Sequence, residues 1–470
     1  MHTTLSKDLT HLTIEHTDSL SEHGGAPRKP GMRALSGTLV TSFALQGGGA
    51  ISGVLAARLL GPEQRGQLAA VLLWPSVIAA IGIFGTNWAT VRLSAAGERD
   101  LGELAGSTGI LALALSLVSV MVGWFVLPSL LADRDALVPL ARLYLVCWIP
   151  VNYLGLNLLA LDQGRGNFFR FNWTRAILSP VYIALILMFW AWTRPTVAVF
   201  AIALLGGNAA VIVARLTCLA RERLVLRITR ASVFALLRLG LPFAMSSAAV
   251  LLATQIDRII VVSFLGDAEV GFYMVAWAFA QIFSGFSSSL GTVTFARSAS
   301  TRMSDEMSRF VERNFRRLLL LGVSAGIAAA ILAPLLIAPV YGRQFQAAVL
   351  PCIFLAIGSA FLPAVTFMDE SLRGQGKPEY GVLSRFVGAG LIAFGAMFAV
   401  PRWGITGMSM ATFAGTFAQA AMLVMLGGRI LQIPLAALCL PRAEDVRYVL
   451  SRPAALLARL VPGSAPGRRP

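Results

Sequence analysis

The sequence predicts an all-α polytopic membrane protein. About twelve transmembrane helices form two six-helix bundles, related by a pseudo-twofold axis along the membrane normal, around a central cavity. Three observations predict it. The 470 residues are 56% hydrophobic and only 13% charged, with a mean hydropathy of +0.72, too apolar to cover a water-facing surface of this size. Apolar runs longer than about 18 residues recur along the chain, and the bilayer admits only helices there because every backbone polar group must bond within its own segment. Two short patterns recur about 205 to 210 residues apart, which marks a duplication.

Taken in order, residues 1–33 are polar, hold all four histidines (His2, His11, His16 and His23) and read as a disordered cytoplasmic tail with no cleavable signal peptide. An N-terminal bundle over 34–222 carries spans at about 35–58, 67–91, 106–130, 137–160, 169–192 and 196–219. A C-terminal bundle over 223–430 carries spans at about 234–264, 269–296, 314–338, 347–371, 380–400 and 404–427, the first of them long. Residues 431–470 form a second cytoplasmic tail, in which EDVRYVLSRPAALLARL (444–460) has the spacing of an interfacial helix kinked at Pro453. Cys147, Cys218, Cys352 and Cys439 lie far apart in or beside apolar runs, without metal-ligand or disulfide spacing. No metal, no cofactor and no nucleic-acid partner is expected.

The net charge of +16 is carried almost wholly by arginine. With the N-terminus inside, internal loops on the cytoplasmic side hold nineteen Arg and Lys residues against eight on the other side. The excess sets an N-in, C-in orientation. LLGPEQRGQL at 59–68 then falls outside the cytoplasm, and it lacks the Gly-Lys-Ser/Thr ending of a phosphate loop, so it is read as the turn between the first two spans. Its glycines set the turn, and Glu63 and Arg65 are expected to meet water.

That turn has a counterpart at FLGDAEVGFY (264–273), where Gly61 matches Gly266 and Gly66 matches Gly271; Arg92 falls on Arg297 at the same offset. After the fourth span of each half, GRGNFFRFNWTR (164–175) matches GQGKPEYGVLSR (374–385), with Gly164/Gly374, Gly166/Gly376 and Arg175/Arg385 coincident. Each half has an even number of spans, so both enter from the same side. Two such bundles facing each other give the architecture of an alternating-access transporter.

These residues carry a resemblance. RLLGPEQRGQLAAVLLW, Gln255-Ile256-Asp257-Arg258 followed by FLGDAEVGFYMVAWAF, and the GxG-basic turns resemble the oligosaccharide/polysaccharide flippases of the multidrug/oligosaccharidyl-lipid/polysaccharide exporter superfamily. The resemblance covers about residues 34–430. It implies translocation of a polyprenyl-diphosphate-linked oligosaccharide from the cytoplasmic to the outer leaflet of a bacterial cytoplasmic membrane, for surface polysaccharide synthesis. It also implies an anionic lipid-linked sugar as substrate, membrane lipids around it, a polysaccharide polymerase and glycosyltransferases as partners, and no enzymatic step. A proton or sodium ion as coupling ion is permitted but not required.

Moving a diphosphate and sugars through hydrocarbon calls for arginines for the anion and amides or hydroxyls for the sugar. Polar groups inside the spans are therefore the candidate substrate contacts: Asp257, Arg258, Arg175, Arg385, Arg142, Gln46, Asn87, Gln255 and Gln281. A charge at the bilayer centre costs about 2.5–3.5 kcal/mol and should face the bundle interior. Asp257-Arg258 has no equivalent in the first half, where Ser52 and Gly53 stand; a structural ion pair is the competing reading. Arg175 and Arg385 suit substrate entry, against snorkelling to headgroups. The run Gln46–Gly53, with four glycines, permits a bend or close packing in the first span, and SGFSSSLG (284–291) offers hydroxyls or simply small residues.

Two further classes are weighed. A cation-coupled multidrug exporter wants carboxylates in the bundle, and Asp257 is the one acid expected well inside a span. A membrane glycosyltransferase or polymer ligase wants a large outer loop with acidic or histidine groups, and the outer loops are short and free of histidine.

Overall fold

A computed structural model of the chain describes residues 32–97, 99–281 and 305–447. The N-terminal tail, the end of the eighth expected span with SGFSSSLG and Arg297, and most of the interfacial segment 444–460 lie outside the described residues. Within them the chain is helical, without strands: α1 (Met32–Gly82), α2 (Thr86–Ala96), α3 (Leu101–Leu130), α4 (Val138–Gly164), α5 (Phe168–Ala176), α6 (Leu178–Trp192), α7 (Val197–Arg221), α8 (Arg230–Phe264), α9 (Asp267–Ala280), α10 (Asp305–Tyr341), α11 (Val349–Ser359), α12 (Leu362–Gly374), α13 (Glu379–Ile430) and α14 (Leu435–Cys439). Eight helical stretches among the described residues are long and apolar enough to cross a bilayer, which makes this a multi-pass membrane protein.

Two of those stretches are broken by a glycine with positive φ. In α1, Gly61 takes φ 74° and ψ 178°, and Pro62 starts the next helix. Proline suits the first helical position because its missing N–H would be unpaired there anyway. In α13, Gly404 takes φ 52° and ψ −130°, a backbone region that side-chain-bearing residues rarely enter. The two arms of α13 pack antiparallel: a Cβ on Gly395 would touch Ala411 at 3.3 Å, and one on Gly407 would overlap the Ala399 carbonyl. By contrast the Gln46–Gly53 run is helical throughout. Gly48 there packs closely on Ser179 of α6, while Gly47, Gly49 and Gly53 face open space, so tight packing at one position, not a bend, describes this stretch.

The duplication is visible in backbone hydrogen bonds. At the end of α4, Asn167 N–H donates to Asp162 O (3.0 Å) and Gly166 N–H to Gln163 O (3.1 Å); at the end of α12, Lys377 N–H donates to Leu372 O (3.0 Å) and Gly376 N–H to Arg373 O (3.1 Å). Each position is its partner plus 210. Both are Schellman caps, and Gly166 (φ 72°) and Gly376 (φ 76°) supply the left-handed residue such a cap needs.

The halves meet through a symmetric crossing of α1 and α9. A Cβ on Gly66 would overlap the Asp267 carbonyl, and a Cβ on Gly271 would overlap the Pro62 carbonyl. Pro62 and Asp267, like Gly66 and Gly271, are 205 residues apart, so one contact is the symmetry mate of the other. Around the crossing, Arg134 after α3 donates to Asp267 (2.5 Å), Val262 O (2.6 Å) and Leu265 O (2.7 Å). Gln344, 210 residues on, lies over Gly61, its amide oxygen 3.6 Å from where a Cβ would stand. Arg58 donates to Val340 O at 2.7 Å and to Pro339 O. Glu63 is exposed as expected; Arg65 is half-buried, with a buried Nε that has no hydrogen-bond partner, so the turn does not leave both charges in water.

One apolar core joins the halves here, with Leu68, Val71 and Trp74 of α1, Val261 of α8, and Val270 and Tyr273 of α9. At the opposite end, α8 starts against the first half: Leu236 is buried with Ala89, Leu104 and Leu161, and Arg99, Thr229 and Ser232 gather on Glu103.

The crossing gives a testable outcome. Gly66→Ala and Gly271→Ala each force backbone apart and should cost about 1–3 kcal/mol, the scale of overpacking, read as a lower melting midpoint of the purified protein. Gly49→Ala, in open space, should be neutral or stabilising by up to about 1 kcal/mol through helix propensity.

Candidate functional site

A cavity of about 330 Å³ opens inside the C-terminal half, lined by α8, α9, α11, α12 and both arms of α13. Its polar lining is Thr254 and Asp257 from α8, Gln281 just past α9, Ser359, Thr366 and Asp369 from α11 and α12, and Arg385, Thr412, Thr416 and Gln419 from α13. Trp277, Phe413, Ile392 and Leu362 supply apolar walls. The volume lies within the range of small-molecule pockets, and a few convergent polar groups on apolar walls is how such pockets orient a ligand.

Two carboxylates hold opposite parts of this wall. Asp257, 6% exposed, accepts from the Tyr273 hydroxyl at 2.9 Å, and that hydroxyl lies 3.3 Å from Thr412 Oγ1. This chain ties α8 to α9 and to the second arm of α13. Asp369 is buried and ion-paired with Arg385. The pairing depends on a missing side chain, since a Cβ on Gly381 would overlap Asp369 Oδ1. Arg385 crosses to α12 from one turn further along α13, and both partners line the cavity.

Of the nine candidate residues, Asp257, Gln281 and Arg385 are brought together at this cavity. Arg258 does not itself line the cavity, but it packs against two residues that do: its guanidinium stacks over Trp277 with 4.2 Å to the ring centroid and sits 3.9 Å from Asp257. Gln255, half-buried, has an unpartnered buried Oε1 but does not line the cavity. Arg142 clamps α4 to α3, donating twice to Trp124 O (3.1 and 2.9 Å) and stacking on the same indole at 4.6 Å. Arg175 packs over Phe171 at 5.0 Å, and Gln46 and Asn87 are half-buried in α1 and α2. These last four belong to the N-terminal half and do not reach the cavity.

The sequence reading passed over Asp369, which makes two acids in the cavity where one was expected. It also passed over a buried ionic cluster in the first half. Asp162 of α4, 2% exposed, pairs with Arg170 at 3.2 Å; Arg170 and Arg165 both meet Glu222; and Arg215, also 2% exposed, donates to Thr174 at 2.7 Å. A signal was present: in each half an acid precedes the glycine cap of the fourth span and an arginine follows it. In the second half Arg385 takes the acid; in the first, Arg170 takes it and Arg175, the sequence mate of Arg385, does not. Elsewhere in the first half Asn157 is satisfied locally, its Oδ1 accepting from Thr108 (3.1 Å) and Thr90 (3.4 Å).

Removing half-buried Arg385 strands the buried Asp369 carboxylate. Arg385→Gln should therefore lower the melting midpoint by an amount equivalent to about 1–3 kcal/mol, and Arg385→Gln/Asp369→Asn should recover much of the loss. A double variant no more stable than the single one would exclude this coupling.

A family model described as polysaccharide biosynthesis protein matches residues 36–301. No curated protein matches the sequence. Among solved structures, the lipid II flippase MurJ in an inward closed conformation superposes with a TM-score of 0.69 at 14% identity, covering 91% of this chain and 94% of that one. An inward-facing multidrug resistance MATE family transporter of the MOP superfamily gives a TM-score of 0.61 at 16% identity, over 84% and 94%. An outward-facing one gives 0.57 at 17%, over 85% and 96%. At these identities the likeness defines the fold, which is that of membrane flippases and exporters. With more than half of its length matched by the model, the chain belongs to the polysaccharide biosynthesis protein family.

Proposed function

We propose that this protein is a flippase that carries a polyprenyl-diphosphate-linked oligosaccharide from the cytoplasmic to the outer leaflet of a bacterial cytoplasmic membrane by alternating access. Membership of a polysaccharide biosynthesis family supports the pathway. The single structural observation that carries the substrate class is the cavity, where Arg385 stands among four threonines, a serine and two glutamines. Hydroxyls and amides suit sugar, and a guanidinium suits a phosphate oxygen. The arginine bias supports an orientation with both termini in the cytoplasm, in which the Gly66–Gly271 crossing lies toward the outer side. Outward passage of a diphosphate is favoured by about 2.3 kcal/mol per charge per 100 mV of inside-negative potential, a gain reduced by any cavity arginine that crosses the field with it, so the step permits a coupling ion without requiring one.

Deletion of the gene should leave the lipid-linked sugar in the inner leaflet, measured as resistance of the intermediate to an impermeant sugar-modifying reagent on intact spheroplasts. Normal surface polysaccharide in a deletion strain with no redundant transporter would overturn the reading.

A second reading, a cation-coupled multidrug exporter, gains from one observation: Asp257 and Asp369 put two carboxylates in the cavity. Under the flippase reading Asp257→Asn and Asp369→Asn leave cationic dye efflux at the level of the empty vector control. Dye efflux present in wild type and abolished by either substitution would favour the exporter.

A further inference from the structure

A second cleft lies behind the cavity, away from the polar groups. It holds about 240 Å³ between α10, α12, the second arm of α13 and α14, and its wall is wholly apolar apart from the Cys439 thiol: Phe315, Phe361, Phe417, Val424 and Leu435 are among its side chains. Helix α12 separates the two spaces. Leu362, Thr366 and Asp369 line the cavity, Phe361 and Ala364 line the slot, and Val365 between them borders both. The Phe361 and Phe417 rings, which line the slot, meet edge to face at 5.6 Å. An apolar space of this kind does not hold water.

The slot leads to a different chemistry at its mouth. Met425 and Leu435 line both the slot and an adjoining cleft that adds Arg429 and Gln432. Arg429 is exposed at the end of α13, and among the described residues no carboxylate lies within ion-pair distance of it. Its neighbours differ: Arg316 and Arg317 are neutralised by Asp445, and Arg442 by Glu312. The floor of the slot is built in. Gln432 turns the chain at φ 55°, a conformation costly for a residue with a side chain. The turn packs its Ile433 carbonyl 3.0 Å from where a Cβ on Gly428 would stand, which holds α14 beneath the opening.

We propose that this slot binds one chain of an anionic phospholipid of the cytoplasmic leaflet, with Arg429 on the phosphate. The occupant is a membrane lipid because the arginine at the mouth faces the end of the bundle that the charge bias puts in the cytoplasm, where the leaflet carries anionic headgroups. An unpaired guanidinium at the headgroup level is attracted to anionic lipid by about 1 kcal/mol. The proposal does not depend on what the cavity carries.

The test is native mass spectrometry of the purified full-length protein with added phosphatidylglycerol or phosphatidylcholine, together with maleimide labelling of Cys439 mapped by peptide analysis. Phosphatidylglycerol should be retained preferentially and should slow labelling of Cys439. Arg429→Gln should weaken phosphatidylglycerol binding about fivefold without changing phosphatidylcholine, and Ala420→Phe, which fills the slot, should abolish retention. If Ala420→Phe does not fold, protection of Cys439 in the unaltered protein decides the matter. Equal retention and equal protection by the two lipids would overturn the proposal. So would displacement of phosphatidylglycerol by an equal concentration of a polyprenyl phosphate, which would assign the slot to the substrate's tail.

Discussion

The crossing of α1 and α9 is the contact on which the rest of the molecule depends. Two glycines, Gly66 and Gly271, let each helix lie directly on the carbonyl of the other, Asp267 and Pro62. In a membrane no hydrophobic force draws helices together, since lipid tails are as apolar as the side chains, and close backbone approach at small residues takes over. The same crossing fixes where both halves turn, because Gly61 and Gly266 begin the two helices that cross. From that point the loops after the third span of each half reach across: Arg134 onto the α8–α9 turn and Gln344 over Gly61.

Around this symmetric contact the two halves have taken different interiors. Both keep the Schellman cap after the fourth span, and both place an acid before it. In the first half the acid is enclosed with arginines in a filled cluster, and Asn157, Thr90 and Thr108 satisfy one another. In the second half the corresponding region stays open, and its ion pair lines a cavity. A buried charge is stable only if paired, and Asp369 on the cavity wall is paired with Arg385. Divergence of this kind leaves an open polar cavity in one half and a closed ionic cluster in the other.

Much of this was legible in the sequence because it rests on local patterns. The spans follow from apolar runs, the turns from glycine beside proline, and the repeat from glycines at constant offset. The role of Gly66 was not legible: a glycine in a turn and a glycine under a crossing helix look alike until the partner helix is placed. From its place in an apolar run Arg142 is a candidate substrate cation, whereas in the fold it clamps Trp124, eighteen residues back, a contact that depends on how α3 and α4 are rotated. Asp369 escaped notice because it stands close to the end of an apolar run, where an acid normally reaches water. The tertiary fold buries it by bringing Gly381 against it.

The nature of the crossing bears on how the halves could separate. Contacts made by glycine and carbonyl oxygens carry little side-chain surface, so opening them exposes little apolar area and releases backbone oxygens that water can satisfy. The arginines at the edge follow the same logic. Arg58 and Arg134 bind mostly carbonyl oxygens, with Asp267 the one carboxylate among their contacts, and a guanidinium released from a carbonyl at an aqueous end is hydrated at once. A rim closed by deep apolar interdigitation would hold its state far more strongly. The continuous apolar core lies further along, at Leu68, Val71 and Tyr273, and separating the halves there would expose far more apolar area than parting the crossing itself.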